Sequence, residues 1–306
     1  MDSKSILGLE HMALSEMQEI LTSAIQMKNV LNQDIKKLPS LRGKAIINLF
    51  FENSTRTRTS FELAGKYLGA DVVNIATSSS SVAKGESLRD TLLTVQSMGT
   101  DAVVMRHGAE GAAQYADQVL RCSVINAGDG AHEHPTQGLL DLFTIQQHKK
   151  KIEGRKVAIL GDIRHSRVAR SNIWGLTKMG AEVHIGGPRT LVPPDIANMG
   201  VILHDTVEGA LKNADVVNVL RIQLERQKVG FFPTPREYAR IFGLNAQRLG
   251  LAKKDALVLH PGPMNRGLEI SPDVAYGSQS AIEEQVTNGV AVRMAILFLL
   301  LTGGKK

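Results

Sequence analysis

The stretch from residue 54 to residue 58 concentrates hydroxyl and guanidinium groups in consecutive positions. An apolar run of strand length, Ala45–Leu49, precedes it, and apolar residues at helical spacing follow it over 61–68. Backbone amides at a helix start, together with the positive end of the helix dipole, attract phosphate. The side chains that can then bind phosphate oxygens are three hydroxyls and a guanidinium, those of Ser54, Thr55, Thr57 and Arg56. The alternative is a helix capped by Thr59 or Ser60 whose arginines are solvated.

Three further arginines each follow an apolar run of strand length: Arg106, Arg167 and Arg221. In open parallel sheets, ligands bind at the carboxyl ends of the strands, where these arginines are expected to lie. A guanidinium there can clamp a carboxylate through two parallel hydrogen bonds. Ion pairing between domains is the alternative for Arg167 and Arg221. The rigid stretch 260–267 follows the last strand and would leave backbone carbonyls facing the ligand.

His134 and Gln137 flank Pro135 just before an apolar helical pattern over 139–145. Because proline suits the first turn of a helix, both side chains are expected near the helix start. The spacing His132-x-His134 does not give the geometry of a helical zinc pair, so we expect no metal here. The alternative for His134 is a structural histidine with satisfied hydrogen bonds.

A polar, serine-rich segment occupies residues 77–87, between two elements of one domain. This position favours a functional loop over a flexible linker. Lys84 beside Gly85 can present an ammonium group to an anion, and a solvated lysine is the alternative.

Two successive blocks alternate strands with helices, each with about four strands. This rhythm predicts an α/β protein of two doubly wound domains, each with a mainly parallel sheet flanked by helices, and an active site in the cleft between them. The polar run 149–154 marks the boundary. We expect domains over 1–150 and 151–283, with a C-terminal helix over 284–306 that packs back on the first domain. The strand ending near Leu160 is not followed by G-x-G-x-x-G, which disfavours a dinucleotide.

Composition narrows the function further. The 306 residues carry a net charge of +6, but basic residues are scattered and aromatic residues make up only 4%. Nucleic acid is therefore disfavoured, and an anionic metabolite is favoured. Cys122 is the only cysteine, and no signal core or run of membrane length is visible. We expect a cytoplasmic protein, no membrane partner, and a buried helix over 291–301.

The pattern Ser15-x-x-Gln18 predicts a capping box for a first helix over 14–32.

Four motifs together resemble the aspartate/ornithine carbamoyltransferase family, in its order and spacing. They are Phe50-Phe51-Glu52-x-Ser54-Thr55-Arg56-Thr57-Arg58, Lys84-Gly85-Glu86-Ser87-Leu88-x-Asp90-Thr91, His134-Pro135-Thr136-Gln137 and His260-Pro261-Gly262-Pro263. The resemblance covers essentially the whole chain. Arg221-x-Gln223 is the pattern of the aspartate-type members, and the His-Cys-Leu-Pro block of the ornithine-type members is absent.

The resemblance implies transfer of the carbamoyl group from carbamoyl phosphate to L-aspartate, without a cofactor or metal. The residues implied to bind carbamoyl phosphate are Ser54, Thr55, Arg56, Thr57, Arg106, His134, Gln137, Gly262 and Pro263. Those implied to bind aspartate are Arg167, Arg221, Gln223 and Lys84. Arg56, Thr57, Lys84, Arg106 and His134 are the implied catalytic set. Glu52 matches a carboxylate that joins Arg167 and Arg226 on domain closure.

The resemblance also implies a homotrimer with shared active sites, in which Lys84 and either Ser80 or Ser81 reach a neighbouring subunit's site. Assembly with regulatory chains or with dihydroorotase is left open. Three other functions remain as alternatives: an ornithine carbamoyltransferase, an anion-binding protein without catalysis, and a nucleic-acid binder.

Overall fold

The computed structural model describes residues 1, 3–76, 85–223 and 234–303, which form two units. The first unit comprises Met1–Leu140 and Thr287–Lys306, and the second comprises Asp141–Val286. The terminal segment therefore groups with the first unit. The division falls inside a helix, ahead of the polar run that the sequence suggested as a boundary.

Within the described residues, the strands are β1 Ala45–Phe50, β2 Asp71–Ala76, β3 Ala102–His107, β4 Ser123–Asp129, β5 Lys156–Leu160, β6 Glu182–Gly186, β7 Ile202–His204, β8 Val216–Val219 and β9 Leu257–Leu259. The α-helices there are α1 Leu14–Leu31, α2 Thr55–Tyr67, α3 Leu88–Ser97, α4 Ala112–Val119, α5 Pro135–Lys149, α6 Arg167–Lys178, α7 Val207–Leu211, α8 Pro235–Phe242, α9 Ala246–Leu249, α10 Pro272–Ala275 and α11 Ile282–Thr302. A 3-10 helix spans Pro194–Met199. Every strand expected from the sequence is present, with its ends shifted by a few residues.

The sheet of the first unit is parallel and has the order β2-β1-β3-β4. The chain adds β2 on one side of β1 and then crosses to the other side for β3, so the strand order reverses between β1 and β3. Helix α2 packs on β1 and β2, and α4 packs on β3 and β4. Leu49, Val103 and Met105 contribute to a buried apolar cluster with residues of α3 and α4. Burial on both faces explains why β1 reads as a continuous apolar run.

The helix α2 begins directly after the first strand, because Ser54 has extended backbone angles and serves as its N-cap residue. The helix therefore starts at Thr55, and the alternative in which Thr59 or Ser60 caps it is wrong. The predicted capping box of α1 is also wrong. Ala13 is the N-cap residue there, no side chain caps the helix, and Ser15 lies within its first turn.

The sheet of the second unit is parallel and has the order β7-β6-β5-β8-β9. Its strand order reverses between β5 and β8. Apolar side chains of β5, β8 and β9 form a buried cluster with α7, represented by Leu160, Val217, Val258 and Leu211. Both units are thus doubly wound α/β folds, as the sequence predicted.

The terminal helix α11 is longer than the apolar run expected from the sequence. Its 21 residues have a mean hydropathy of 1.5 in the most apolar window, which is sufficient for a membrane span by length and composition alone. That window is 61% buried, and buried core helices of water-soluble domains meet the same criterion. Arg293, which interrupts the apolar run, is itself buried.

Candidate active site

The carboxyl ends of three strands meet at one edge of the first unit's sheet. Phe50 of β1 pairs with Arg106 of β3, and His107 pairs with Asp129 of β4. The amide of Phe51 also donates to the carbonyl of Arg106 at 2.8 Å, which extends this register past the end of β1. The point at which strand order reverses, between β1 and β3, is where doubly wound sheets bind ligands. It carries the start of α2 on one side and Arg106 on the other.

The first turn of α2 is arranged to receive an anion. The hydroxyl of Ser54 makes no capping hydrogen bond, so it does not occupy the amides of the first turn. Thr55 and Arg56 are exposed, whereas Thr57 is buried. No acidic residue lies in this turn. The helix start therefore combines free hydroxyls with a positive dipole end and no nearby carboxylate on its own turn.

Arg106 already binds a carboxylate within the first unit. Its Nε lies 3.2 Å from Oε2 of Glu52, and both side chains are mostly buried. A phosphate that binds Arg106 must compete with this carboxylate or share the guanidinium with it. The predicted contacts of Glu52 with Arg167 and Arg226 stay a prediction, and Arg226 lies outside the described residues.

His134 is positioned by the loop that joins β4 to α5. Its carbonyl accepts from the amides of Gln137 at 2.9 Å and Gly138 at 3.1 Å, so His134 stands at the N-cap position of α5. Pro135 occupies the first turn, as predicted. The side chains of His134 and Gln137 are both buried, at 4% and 8% exposure. These two buried side chains thus follow β4, whose carboxyl end lies at the same sheet edge as Arg106.

Asp129 organises the loop ahead of His134. Its carboxylate accepts from Asn126 Nδ2 at 2.7 Å, from the amide of Gly111 at 2.8 Å and from His132 Nδ1 at 3.0 Å. Burial alone would raise the pKa of Asp129, but these hydrogen bonds outweigh it and hold the pKa below its usual value. The hydrogen bond from His132 to Asp129 raises the pKa of His132, although burial acts against it.

Arg293 of α11 joins the two helix starts of the first unit. Its Nη1 donates to Ser60 Oγ at 2.9 Å in α2, and its Nη2 donates to Thr136 Oγ1 at 3.5 Å in α5. The guanidinium carbon also lies 5.2 Å from the ring centre of Phe61. One buried cation therefore joins the second turn of α2 to the first turn of α5, which follows His134.

Among the residues that the structure describes, one group of side chains has the proximity needed for a cation. Glu10, His132 and Glu133 place ligand atoms within 4.8 Å of one another. The oxygens of Glu133 already accept from the backbone amides of Leu9 and Glu10, at 2.8 and 3.0 Å. The groups that donate to Glu133 are neutral backbone amides, which a metal ion would have to displace. His134 is not a member of this group. The expectation that the site needs no metal stays a prediction.

The second unit repeats the arrangement at its own point of strand reversal. Leu160 of β5 pairs with Val219 of β8, and the amide of Leu220 donates to the carbonyl of Leu160 at 2.8 Å. Arg167 starts α6 after β5, where Ser166 caps the helix by accepting from the amide of Ala169. The side chain of Arg167 is only 3% exposed.

The segment after β8 carries Arg221 and Gln223, both half-buried, on either side of the fully buried Ile222. The segment after β9 carries Gly262 and Pro263, and Gly262 has a φ of +62° that a side chain would disfavour. These four residues follow adjacent strands of the same sheet, because β8 pairs with β9. The structure therefore gathers the predicted site residues of the second unit at one edge.

Three predicted site residues of the serine-rich segment, Ser80, Ser81 and Lys84, lie outside the described residues, as does Arg226. Their predicted roles stay predictions. Sequence reasoning missed Asp129 and Arg293 as organising residues of the site. A carboxylate between glycines at a strand end, and a lone arginine in an apolar helix, were the signals available for them.

Two family models match the two halves of the chain. The model described as aspartate/ornithine carbamoyltransferase, carbamoyl-P binding domain, matches residues 4–147. The model described as aspartate/ornithine carbamoyltransferase, Asp/Orn binding domain, matches residues 153–300. The chain belongs to the aspartate/ornithine carbamoyltransferase family.

Individual relatives agree with this assignment. The chain is 62% identical over 302 residues to an aspartate carbamoyltransferase catalytic subunit of Desulforamulus reducens, covering 99% of this chain and 96% of that protein. A crystal structure of aspartate transcarbamoylase from Trypanosoma cruzi, in complex with carbamoyl phosphate and aspartate, is similar with a TM-score of 0.86 and 32% identity, covering 96% of this chain and 95% of that one. Ornithine carbamoyltransferase from Pyrococcus furiosus is similar with a TM-score of 0.86 and 29% identity, covering 99% of this chain and 98% of that one.

Proposed function

We propose that this chain transfers the carbamoyl group of carbamoyl phosphate to the amine of L-aspartate, giving N-carbamoyl-L-aspartate and phosphate, a step of pyrimidine synthesis. The observation that carries the proposal is the phosphate-binding turn of α2 beside Arg106, at the point where the strand order of the first unit reverses. His134 and Gln137 follow the next strand of that sheet and suit the carbamoyl group. The T. cruzi protein binds these two substrates, which supports the choice.

The choice of L-aspartate rests on the second unit. Arg167 and Arg221 follow the two strands between which its strand order reverses, and two guanidinium groups match the two carboxylates of aspartate. Ornithine has one carboxylate and a cationic side chain, which such a pair would repel. The high identity to a protein named aspartate carbamoyltransferase agrees with this choice.

The proposed reaction needs the uncharged amine of aspartate to attack the carbamoyl carbon. A C–N bond forms, and negative charge develops on the carbonyl oxygen of a tetrahedral intermediate. His134, Arg106 and Thr57 are the donors proposed to stabilise that oxygen. Each well-placed donor of this kind contributes roughly 3–4 kcal/mol in other enzymes.

The intermediate then expels phosphate as the bond from carbon to the phosphate oxygen breaks. The departing phosphate is basic enough to accept the proton lost by the amine, so no side-chain base is required. Arg56 and the amides of α2 hold the phosphate as its charge increases. The chain's remaining contribution is to bring two anions together in one orientation, which supplies the proximity term.

We further propose that the active protein is a cytoplasmic homotrimer in which Lys84 and a serine at 80 or 81 complete a neighbour's site. Matching proteins are named catalytic subunits, which supports a larger assembly with partner chains. Light scattering of the purified chain would give its mass in solution. A monomer that is fully active would contradict the shared site.

The experiment that tests the reaction compares two amines with one purified protein. Phosphate release from carbamoyl phosphate is measured with L-aspartate, with L-ornithine and with no amine, and the carbamoylated product is identified by mass spectrometry. We expect turnover with L-aspartate alone. Phosphate release that depends on ornithine would reassign the substrate. If neither amine raises phosphate release above the background without amine, the proposed catalysis is contradicted.

A further inference from the structure

We propose that Asn265, held by Glu269 and His260, is a positioning residue that fixes the segment bearing Arg221 and Gln223. The inference rests on the proposed function, because it concerns how that site holds its amino-acid substrate. It is carried by a continuous series of hydrogen bonds within the second unit, called here the His260 network. Its members are Gly262, His260, Glu269, Asn265 and the carbonyl of Ile222.

The network starts with a histidine whose tautomer is set by its neighbours. The amide of Gly262 donates to His260 Nδ1 at 2.8 Å, so Nδ1 carries the lone pair. His260 Nε2 therefore carries the proton and donates to Glu269 Oε1 at 3.1 Å. Both side chains are buried, at 2% and 1% exposure. The backbone at Gly262 is thereby tied to a buried carboxylate.

Glu269 passes this connection to Asn265. The amide nitrogen of the Asn265 backbone donates to Oε1 at 2.6 Å, and Asn265 Nδ2 donates to Oε2 at 3.1 Å. The second proton of Nδ2 goes to the carbonyl of Ile222 at 3.0 Å. Both protons of the side-chain amide are used, which fixes its orientation. Asn265 thus links the segment after β9 to the segment after β8.

Ile222 is held by both its side chain and its backbone carbonyl. Its side chain is buried in a cluster with Leu191 and Tyr238, while its carbonyl is held by Asn265. Arg221 and Gln223 are its immediate neighbours in the chain. Their backbone direction therefore depends on how the Ile222 carbonyl is oriented, and Asn265 controls that orientation. A guanidinium that must form two parallel hydrogen bonds is sensitive to small errors of this kind.

The base of the network is anchored inside the same unit. Gln285 Oε1 accepts from the amide of His260 at 2.9 Å, and Gln285 Nε2 donates to Asp141 Oδ1 at 2.6 Å. Asp141 also accepts from Asn172 Nδ2 at 2.7 Å. His260 is thus held by its backbone as well as by its ring. Replacing Asn265 should move the Ile222 end of the network and leave the Gly262 end in place.

The test uses Asn265→Ala, which removes both side-chain hydrogen bonds and keeps the backbone bond to Glu269. Asn245→Ala is the matched control, because it also removes an asparagine side chain that makes a hydrogen bond in the second unit. Asn245 Oδ1 accepts from the amide of Arg248 at 2.9 Å and caps α9. We expect Asn265→Ala to raise the KM for L-aspartate roughly 10- to 100-fold, the range that misplacement by about 1 Å produces. Direct calorimetric binding of carbamoyl phosphate should not change. Asn245→Ala should leave both quantities at wild-type values.

Hydrogen exchange of the free protein gives a second reading that needs no substrate. Amides of residues 219–223 should exchange faster in Asn265→Ala than in Asn245→Ala. Glu269→Gln is the second variant in case Asn265→Ala does not fold. In Glu269→Gln, the side-chain oxygen of the new glutamine can still accept from His260 and from the Asn265 backbone. The glutamine NH2 group would face Asn265 Nδ2 and cannot accept a hydrogen bond from it. The same KM increase is therefore expected.

The outcomes separate the two claims. An unchanged KM in a folded Asn265→Ala or Glu269→Gln protein, with wild-type turnover present, overturns the positioning role. Equal changes in Asn245→Ala overturn it too, because the effect would then follow general destabilisation. If the wild-type protein turns over neither aspartate nor ornithine, the proposed function fails, and unchanged exchange at 219–223 would separately overturn the network.

Discussion

Replacing Arg56 with alanine should separate activity from stability. Arg56 is an exposed residue in the first turn of α2, a turn without acidic residues. A cation at a helix N-terminus faces the positive end of the dipole, which costs about 0.3–1 kcal/mol at exposed positions. Alanine removes that repulsion and has a better helix propensity. We therefore expect the free energy of unfolding of Arg56→Ala to stay within about 0.5 kcal/mol of wild type, or to rise slightly.

The loss of activity should be far larger. A donor aimed at developing charge contributes about 2.7–4 kcal/mol to the transition state in other enzymes. Since about 1.36 kcal/mol corresponds to a tenfold change in rate, Arg56→Ala should lower kcat/KM by roughly 100- to 1000-fold. Arg56→Lys keeps the positive charge but loses the planar guanidinium, so its kcat/KM should lie between those of wild type and Arg56→Ala.

Arg58→Ala is the matched control for the same helix. Arg58 is half-buried and acts on Glu62, whose pKa is lowered chiefly by hydrogen bonds from Lys66 and Asn74 with a smaller attraction from Arg58. A surface charge pair of this kind contributes at most about 1 kcal/mol, which corresponds to about fivefold, so a control residue that does not contact phosphate should change kcat/KM by no more than that factor. Initial rates of phosphate release and urea unfolding curves measure both quantities. Wild-type kcat/KM in Arg56→Ala, or an equal loss in Arg58→Ala, would refute a specific phosphate contact.

Three further expectations concern the amino-acid site, the assembly and pH. Arg221→Ala should raise the KM for L-aspartate by roughly 10- to 150-fold, the effect of a lost charge-assisted hydrogen bond of about 1.5–3 kcal/mol, and an unchanged KM would give Arg221 a structural role. Mixed trimers of Lys84→Ala and Arg56→Ala chains should regain activity that neither parent has, and no gain on mixing would contradict sites shared between subunits. His132 has a raised pKa through its bond to Asp129, so its stabilising contribution is complete below its unfolded pKa of about 6.5 and is lost as pH rises through the folded pKa. The Tm difference between wild type and His132→Ala should therefore shrink as pH rises through the raised pKa of His132, and a difference that grows with pH would be contrary to this assignment.

The fold was largely accessible from the sequence because its strands are buried on both faces. Such strands read as short apolar runs, and runs like Ile46–Phe50 and Val216–Val219 are easily located. Strand order was not accessible, because pairing is decided by contacts distant in sequence. The start of α1 at Leu14 was predicted correctly, but its capping box was not, for a local reason. Ser15 has the right spacing from Gln18, but the chain becomes helical one residue earlier, after Ala13.

The candidate site residues could be proposed from the sequence because hydroxyls and guanidiniums stand out at strand ends, and their contacts with substrate stay predictions. The residues that hold these side chains could not be proposed in this way. Arg293 and Ser60 are 233 positions apart in the chain and meet only after folding. Asn265 and Ile222 join two loops whose strands are neighbours only in the folded sheet. Supporting contacts of this kind carry no local pattern, so only coordinates identify them.

Both units place their candidate binding residues at the point where the strand order of the sheet reverses, but the residues differ between the units. In each, the chain reverses its strand order once, and the two loops at that point converge without any shared sequence motif. The first unit places a helix N-terminus there, which suits a tetrahedral oxyanion. The second places Arg167 and Arg221 there, which suits planar carboxylates. In each unit a side chain from elsewhere joins one of these segments to the segment after another strand: the buried Arg293 bonds Ser60 of α2 and Thr136 of α5, and the half-buried Asn265 bonds the carbonyl of Ile222 after β8. Fold topology thus selects the place of the proposed site, the side chains at the strand ends select the ligand, and the supporting hydrogen bonds set how accurately the ligand is held.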